Sequence, residues 1–246
     1  MRGNLHISQS SLLKDQDGLT HRFYGMPKSK SAQDMSFEQQ LDQIAADMQV
    51  KRTDMVGVDQ VHSAKVRMVG AQWTVKQPEA DAMVTDRAGL TLVLKTADCA
   101  PVLLVDIRAG VIGAAHAGWR GALAGILEQT VLHMTFLGAS REMIVGSIGP
   151  CILQPSYEVG LDFMDDFVDA DLEHAGFFSR TEGQKSHFDL PGFCEAQLRS
   201  AGIFACQQTA IDTFDQKNGF YSYRRAAKAG ESGYGRNVSA ICLRNG

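Results

Sequence analysis

The run TADCAPVLLVDIRAGVIGAAHAGWRG, Thr96 to Gly121, constrains the chain most. Two apolar stretches flank Asp106-Ile107-Arg108-Ala109-Gly110, a natural turn, so the run reads as a β-hairpin. With the turn centred there, cross-strand partners have numbers summing to about 215, and Cys99 and His116 face each other. Directly opposed residues hold their Cβ atoms roughly 4.5–5.5 Å apart, close enough for a thiolate and an imidazole to share a metal ion. Pro101 cannot donate to the ladder and marks a place where pairing can end. The plainer alternative is a packed thiol and a satisfied core histidine.

The rest of the chain supplies short β-like runs bounded by Gly, Asp or Pro at 55–58, 65–69, 81–85, 90–94 and 143–148, and a last one at 238–243. Ser36 can cap a helix running to about Met48. A second helix is expected from Gly121 to Leu137, ended by Gly138, with others near 160–168 and 191–201. Pro27 to Asp34 is polar and reads as a surface loop. Neighbouring strands look antiparallel, which favours α+β over a doubly wound parallel sheet. No linker interrupts the 246 residues, so residues 1–246 are expected to form a single domain.

Composition narrows function mainly by exclusion. A net charge of −4 argues against nucleic-acid or anionic-membrane partners, which call for a basic excess. No apolar run suits a membrane span, and the first residues lack the apolar core of a signal peptide, so a cytoplasmic location is expected. Five scattered cysteines without a CxxC pair fit free thiols or ligands better than a disulfide framework.

Three features can complete a site around Cys99 and His116. His62, in DQVHSAKV at the expected start of a strand, is a candidate third ligand. Trp119 can stack on a planar ring or simply pack. Arg120 opens the 121–137 helix, where free N–H groups can hold an anion such as phosphate. Asp98 is the acidic residue nearest the cysteine and the candidate proton carrier. Near the C-terminus, GFYSYRRAAKAGESGYGRNVSAICL carries Arg224, Arg225 and Arg236 among aromatics. Arg225 is a candidate for substrate binding, although most of this stretch reads as a solvated basic loop.

The stretches DQVHSAKV, DAMVTDRAGLTLVLKTADCAPVLLVD, GAAHAGWRGALAGIL, IGPCI with PSYEVG, and FYSYRR with GRNVSAICL resemble one bacterial family. It is the YfiH-type multicopper polyphenol oxidase, or laccase-domain, family, also called purine nucleoside phosphorylase YfiH or peptidoglycan editing factor. The resemblance implies an α+β fold with mixed β-sheets sandwiched by helices in α/β/β/α layers. It implies a zinc or copper site built from His62, Cys99 and His116. It also implies phosphorolysis of adenosine, inosine and methylthioadenosine, adenosine deamination, and in older naming polyphenol oxidation. Purine nucleoside and phosphate are then the expected small-molecule partners. Seven histidines fall short of the ligand set that a type 1 plus trinuclear copper assembly needs. A metal-free Cys99–His116 hydrolase or amidase that edits cell-wall precursors is the alternative chemistry. Two places depart from the family pattern: HRFYGMPKSKSAQD lacks the expected Arg-x-Gly-Gly, and Asp212-Thr213 stands where a Cys-Thr is usual.

Overall fold

The computed structural model describes residues 5–28, 35–74, 76–179 and 185–244. Along the chain run β1 (Leu5–Ser8), α1 (Ser11–Lys14), β2 (Leu19–Pro27), α2 (Phe37–Met48), β3 (Met55–Val56), β4 (Val66–Met68), β5 (Ala82–Thr85) and β6 (Thr91–Thr96). They are followed by β7 (Ala100–Asp106), β8 (Val111–Ala117), α3 (Trp119–Leu123), α4 (Ile126–Phe136), β9 (Val145–Ile148), β10 (Glu158–Val159) and α5 (Leu161–Ala170). The last elements are β11 (Phe178–Ser179), β12 (Ser186–Phe188), α6 (Leu190–Ser200), β13 (Ala205–Gln208), α7 (Tyr223–Ala229) and β14 (Asn237–Leu243).

Two large sheets lie face to face. One has the order β1-β2-β14-β6-β3, the other β13-β9-β7-β8-β5-β4, and β10-β12-β11 form a small third sheet. Strand parity sorts the side chains. Leu103 and Val105 of β7 and Ile112 and Ala114 of β8 meet Leu92, Leu94 and Ile241 between the two large sheets. Val102, Leu104, Val111 and Ala115 point the other way, onto Ile126, Val131 and Met134 of α4 and Phe193 and Leu198 of α6. On the far side of the first sheet, Tyr24, Val93 and Ala240 pack against Leu41, Ile44 and Met48 of α2. The layers therefore run helix, sheet, sheet, helix.

Local chemistry explains several boundaries. Ser36 and Gln39 form a reciprocal capping box at the start of α2. The helix expected over 121–137 is two helices, because Gly125 adopts φ 87° and breaks the chain between α3 and α4. The largely antiparallel expectation is also corrected. The pairs β3–β6, β4–β5 and β9–β13 are parallel, each joining strands separated by long excursions of chain. All five cysteines are free. Pro27 ends β2, and residues 29–34 of the expected polar loop lie outside the described residues.

The hairpin register differs from expectation in an instructive way. Pro101 pairs with His116 and Asp106 with Val111, so partners sum to 217 rather than 215. Asp106 stays in the strand and caps the turn. Its carboxylate accepts the Arg108 and Ala109 N–H groups at 3.0 Å each, and Gly110 closes the turn at φ 67°. Pro101 does not stop the ladder. Its carbonyl accepts the Gly149 N–H at 2.8 Å, so its missing donor faces β9 rather than β8. A slip of two residues preserves the face, whereas a slip of one would reverse it. Cys99 and His116 therefore still share the face toward the other large sheet, as diagonal rather than direct neighbours.

Candidate metal centre

Asp81 organises this end of the sheet pair. Its carboxylate is fully buried and accepts the N–H groups of Val61 at 3.3 Å, His62 at 2.9 Å and Ser63, and the Ser63 hydroxyl at 2.8 Å. It also takes His116 Nδ1 at 2.9 Å. Burial pushes the Asp81 carboxyl up, but the bonds from His116 and Ser63 outweigh it and hold the group at about 2. With Nδ1 committed to Asp81, the other ring nitrogen of His116 is left to act as a ligand. His62 is not at a strand start as expected. It sits in a loop ahead of β4 at φ 60°, a left-handed conformation held by the three N–H bonds to Asp81.

One donor atom from each of His62, Cys99 and His116 converges, all within 4.8 Å of one another. Cys99 Sγ is 3.8 Å from His62 Nε2, and the two imidazoles meet edge to face at 4.8 Å between centroids. Burial pushes the Cys99 thiol up, yet the two imidazoles beside it pull it below the usual thiol value. Burial opposes charge on His116, yet Cys99 and Asp81 hold it above the usual histidine value. Gly118 makes the approach possible. A Cβ there would lie 2.7 Å from the His62 ring and 3.1 Å from Cys99 Sγ. A borderline-soft divalent ion suits two imidazoles and one thiolate.

The cluster lies between two cavities. The larger, about 400 Å³, is walled by Trp119, Tyr157, Phe163 and Tyr223 together with Arg120 and Arg224. The smaller, about 190 Å³, is polar and is lined by Asp59, Gln60, Lys95, Thr96, Tyr234 and Arg236. His62 and Cys99 belong to both.

The remaining sequence-predicted residues divide. Trp119 lines the larger cavity and packs on Phe163 at 4.7 Å between centroids. The Arg120 guanidinium lies 4.1 Å from the centre of the Trp119 ring. The long helix expected to give Arg120 an anion-binding N-terminus is instead the five-residue α3, whose few aligned peptides make a weak dipole. Asp98, at φ 81°, has both carboxylate oxygens engaged, by the Thr213 hydroxyl at 2.7 Å and the Arg224 N–H at 2.6 Å. It anchors the Cys99 turn to α7. Arg225 is turned away from the cavities. Its guanidinium donates to the carbonyls of Thr213, Phe214 and Phe220 at 2.6, 3.1 and 2.7 Å. Arg224 is the cavity arginine instead, bonded to the Glu158 carbonyl at 2.6 Å and 5.2 Å from the Tyr157 ring centre. Sequence reasoning left Asp81 and Tyr157 without a role. The only signal for Asp81 was a carboxylate at the first position of a buried strand.

Among the described residues no helix is long and apolar enough to cross a membrane. The chain is similar to a purine nucleoside phosphorylase of Rickettsia conorii, 34% identical over 79% of this chain and 80% of that protein. It is 40% identical to a purine nucleoside phosphorylase of Deinococcus radiodurans over 77% of this chain and 71% of that protein. An adenosine deaminase, RL5, from an unknown prokaryotic organism is 32% identical over 65% of this chain and 64% of its own length. In fold, the chain superposes on the crystal structure of Bacillus licheniformis YfiH with a TM-score of 0.80 at 24% identity, covering 94% and 95% of the two chains. The family model for multi-copper polyphenol oxidoreductase laccase matches residues 28–244, and the chain belongs to that family.

Proposed function

We propose that this chain is a metal-dependent purine nucleoside enzyme. Its reactions are phosphorolysis of adenosine, inosine and methylthioadenosine, deamination of adenosine, or both. The observation that carries the reading is the convergence of His62, Cys99 and His116 at the junction of an aromatic and a polar cavity. The relatives' names agree with it.

His62, Cys99 and His116 would hold the ion, zinc or copper, which would supply Lewis acidity to the substrate. The chain's own residues bind and orient the substrate. A flat purine suits the walls of Trp119, Tyr157 and Tyr223, with Arg120 and Arg224 available to its polar edge. Asp81 fixes the tautomer and direction of His116. Asp98, with both oxygens engaged, holds the site together rather than carrying a proton. In phosphorolysis a phosphate oxygen bonds to ribose C1′ as the bond to the base breaks, giving free base and ribose 1-phosphate. In deamination water adds at C6 of adenine and ammonia leaves, giving inosine.

The lowered Cys99 thiol beside His116 favours one alternative, a metal-free thiol hydrolase or amidase acting on cell-wall precursors. Polyphenol oxidation would require copper in the same three-donor site.

Incubating the metal-loaded protein with adenosine and phosphate, and separating products by mass, tests the reading. Adenine with ribose 1-phosphate marks phosphorolysis, and inosine with ammonia marks deamination. Neither product, or turnover that survives chelation, would overturn it.

A further inference from the structure

The smaller cavity is polar, whereas the larger one has aromatic walls. We propose that the smaller one is the phosphate subsite, with Arg236 as its principal ligand and Tyr234 as a supporting donor. The proposal rests on the phosphorylase reading and deepens it.

Charge comes first. Two cations, Lys95 and Arg236, face one carboxylate, Asp59, in the lining. Among the described residues no carboxylate oxygen lies within 4.0 Å of either cation, in contrast to Arg22, Arg52 and Arg199 elsewhere. The Arg236 guanidinium lies 4.0 Å from the centre of the Tyr234 ring. Its bonds are to Tyr234 and to the Gly235 carbonyl, the shortest 3.1 Å, so donor capacity remains for an anion. Lys95 shares the strand parity of Val93, toward α2, with its ammonium 5.7 Å from the Phe37 ring centre, so it adds charge at a distance and no donor to the cavity.

A second donor stands beside Arg236. Tyr234 accepts from Arg236 and keeps its own proton to donate. Gln60 is not available, because both ends of its amide bond the Lys95 backbone, at 2.8 and 2.9 Å.

Geometry supplies the third argument. About 190 Å³ suits a small tetrahedral anion, and about 400 Å³ with aromatic walls suits a nucleoside. The two meet at His62 and Cys99. Base in one cavity and phosphate in the other puts nucleophile and leaving group on opposite sides of C1′. A phosphate oxygen then forms the bond to C1′. The electron pair of the C1′–N9 bond leaves with the purine, and one of the two protons of the dihydrogen phosphate ion ends on the purine while the other stays on ribose 1-phosphate. Arg120, stacked on Trp119 in the larger cavity, is left to the nucleoside.

Inorganic phosphate titrated calorimetrically into metal-loaded wild type, Arg236→Met, Lys95→Met and Arg120→Met tests the assignment, with thermal melting as the folding control. Arg236→Met is expected to weaken phosphate binding about tenfold or more, the loss of a charge-assisted contact. Lys95→Met should weaken it less, and Arg120→Met should leave it unchanged. In turnover, Arg236→Met should raise the KM for phosphate and leave the KM for nucleoside within about twofold. No wild-type phosphate isotherm, unchanged binding in Arg236→Met, or loss only in Arg120→Met would overturn the subsite. If phosphate binds through Arg236 but no ribose 1-phosphate forms, the subsite stands and the phosphorylase reading fails. If ribose 1-phosphate forms with an unaltered phosphate KM in Arg236→Met, the reading stands and the subsite fails.

Discussion

All three clustered donors lie between His62 and His116, in the middle of the chain, whereas much of the wall around them comes from Tyr157, Tyr223, Arg224, Tyr234 and Arg236. The two groups are held differently. Cys99 and His116 are set by strand parity in a hairpin whose buried Val, Leu and Ile side chains each contribute about 1.5–3 kcal/mol to folding. His62 is tied to the same sheet by its N–H bond to Asp81, in a loop that the Lys65 carbonyl also bonds to β5. The late residues instead depend on bonds between segments far apart in sequence, such as Thr213 and Arg224 to Asp98 and Arg224 to Glu158. His116 is therefore built into the core of the fold, Cys99 is half-buried and His62 exposed at its edge, and the walls are strapped over them.

The largest effect that would break this contrast is expected at Asp81. Asp81→Ala strips a buried acceptor from His116 and from three N–H groups. It should cost about 3–5 kcal/mol in urea unfolding. Metal retention should fall with it, because His62 loses the bonds that hold its left-handed turn. A near-wild-type midpoint would mean that the hairpin alone positions the donors.

Next in size is Arg225→Met. Three carbonyls lose a charged donor, and stability should drop by about 2–3 kcal/mol while the KM for nucleoside stays put. Arg224→Met is the sharpening partner and the smallest of the three. It should cost about 1 kcal/mol, yet raise the nucleoside KM. A reversal, with Arg225→Met altering KM and Arg224→Met altering only stability, would return Arg225 to the site.

The same contrast explains what was legible in the sequence. The layered α+β fold and the hairpin could be read because apolar alternation in APVLLVD and VIGAAHA is a local signal, and a two-residue error in register leaves the face intact. Gly125 was read as ordinary helix because a glycine inside an apolar helical pattern does not reveal its φ. The nine residues of β2, LTHRFYGMP, escaped notice because Thr, His and Arg interrupt the apolar alternation, although the strand lies between β1 and β14. Nor did local pattern separate Arg224 from Arg225. Adjacent residues on α7 project in different directions, and which one meets the cavity depends on Asp98 and Glu158, over sixty residues of chain away. Asp81 was invisible as a hub because its partners come from a loop and a strand on either side of it.

The central claim is that His62, Cys99 and His116 hold one metal ion. Elemental analysis of purified protein after dialysis, wild type against Cys99→Ala, with circular dichroism to establish folding, tests it directly. The wild type should carry about one zinc or copper ion per chain, and folded Cys99→Ala should carry almost none. A folded Cys99→Ala protein that keeps the same ion content would contradict the account.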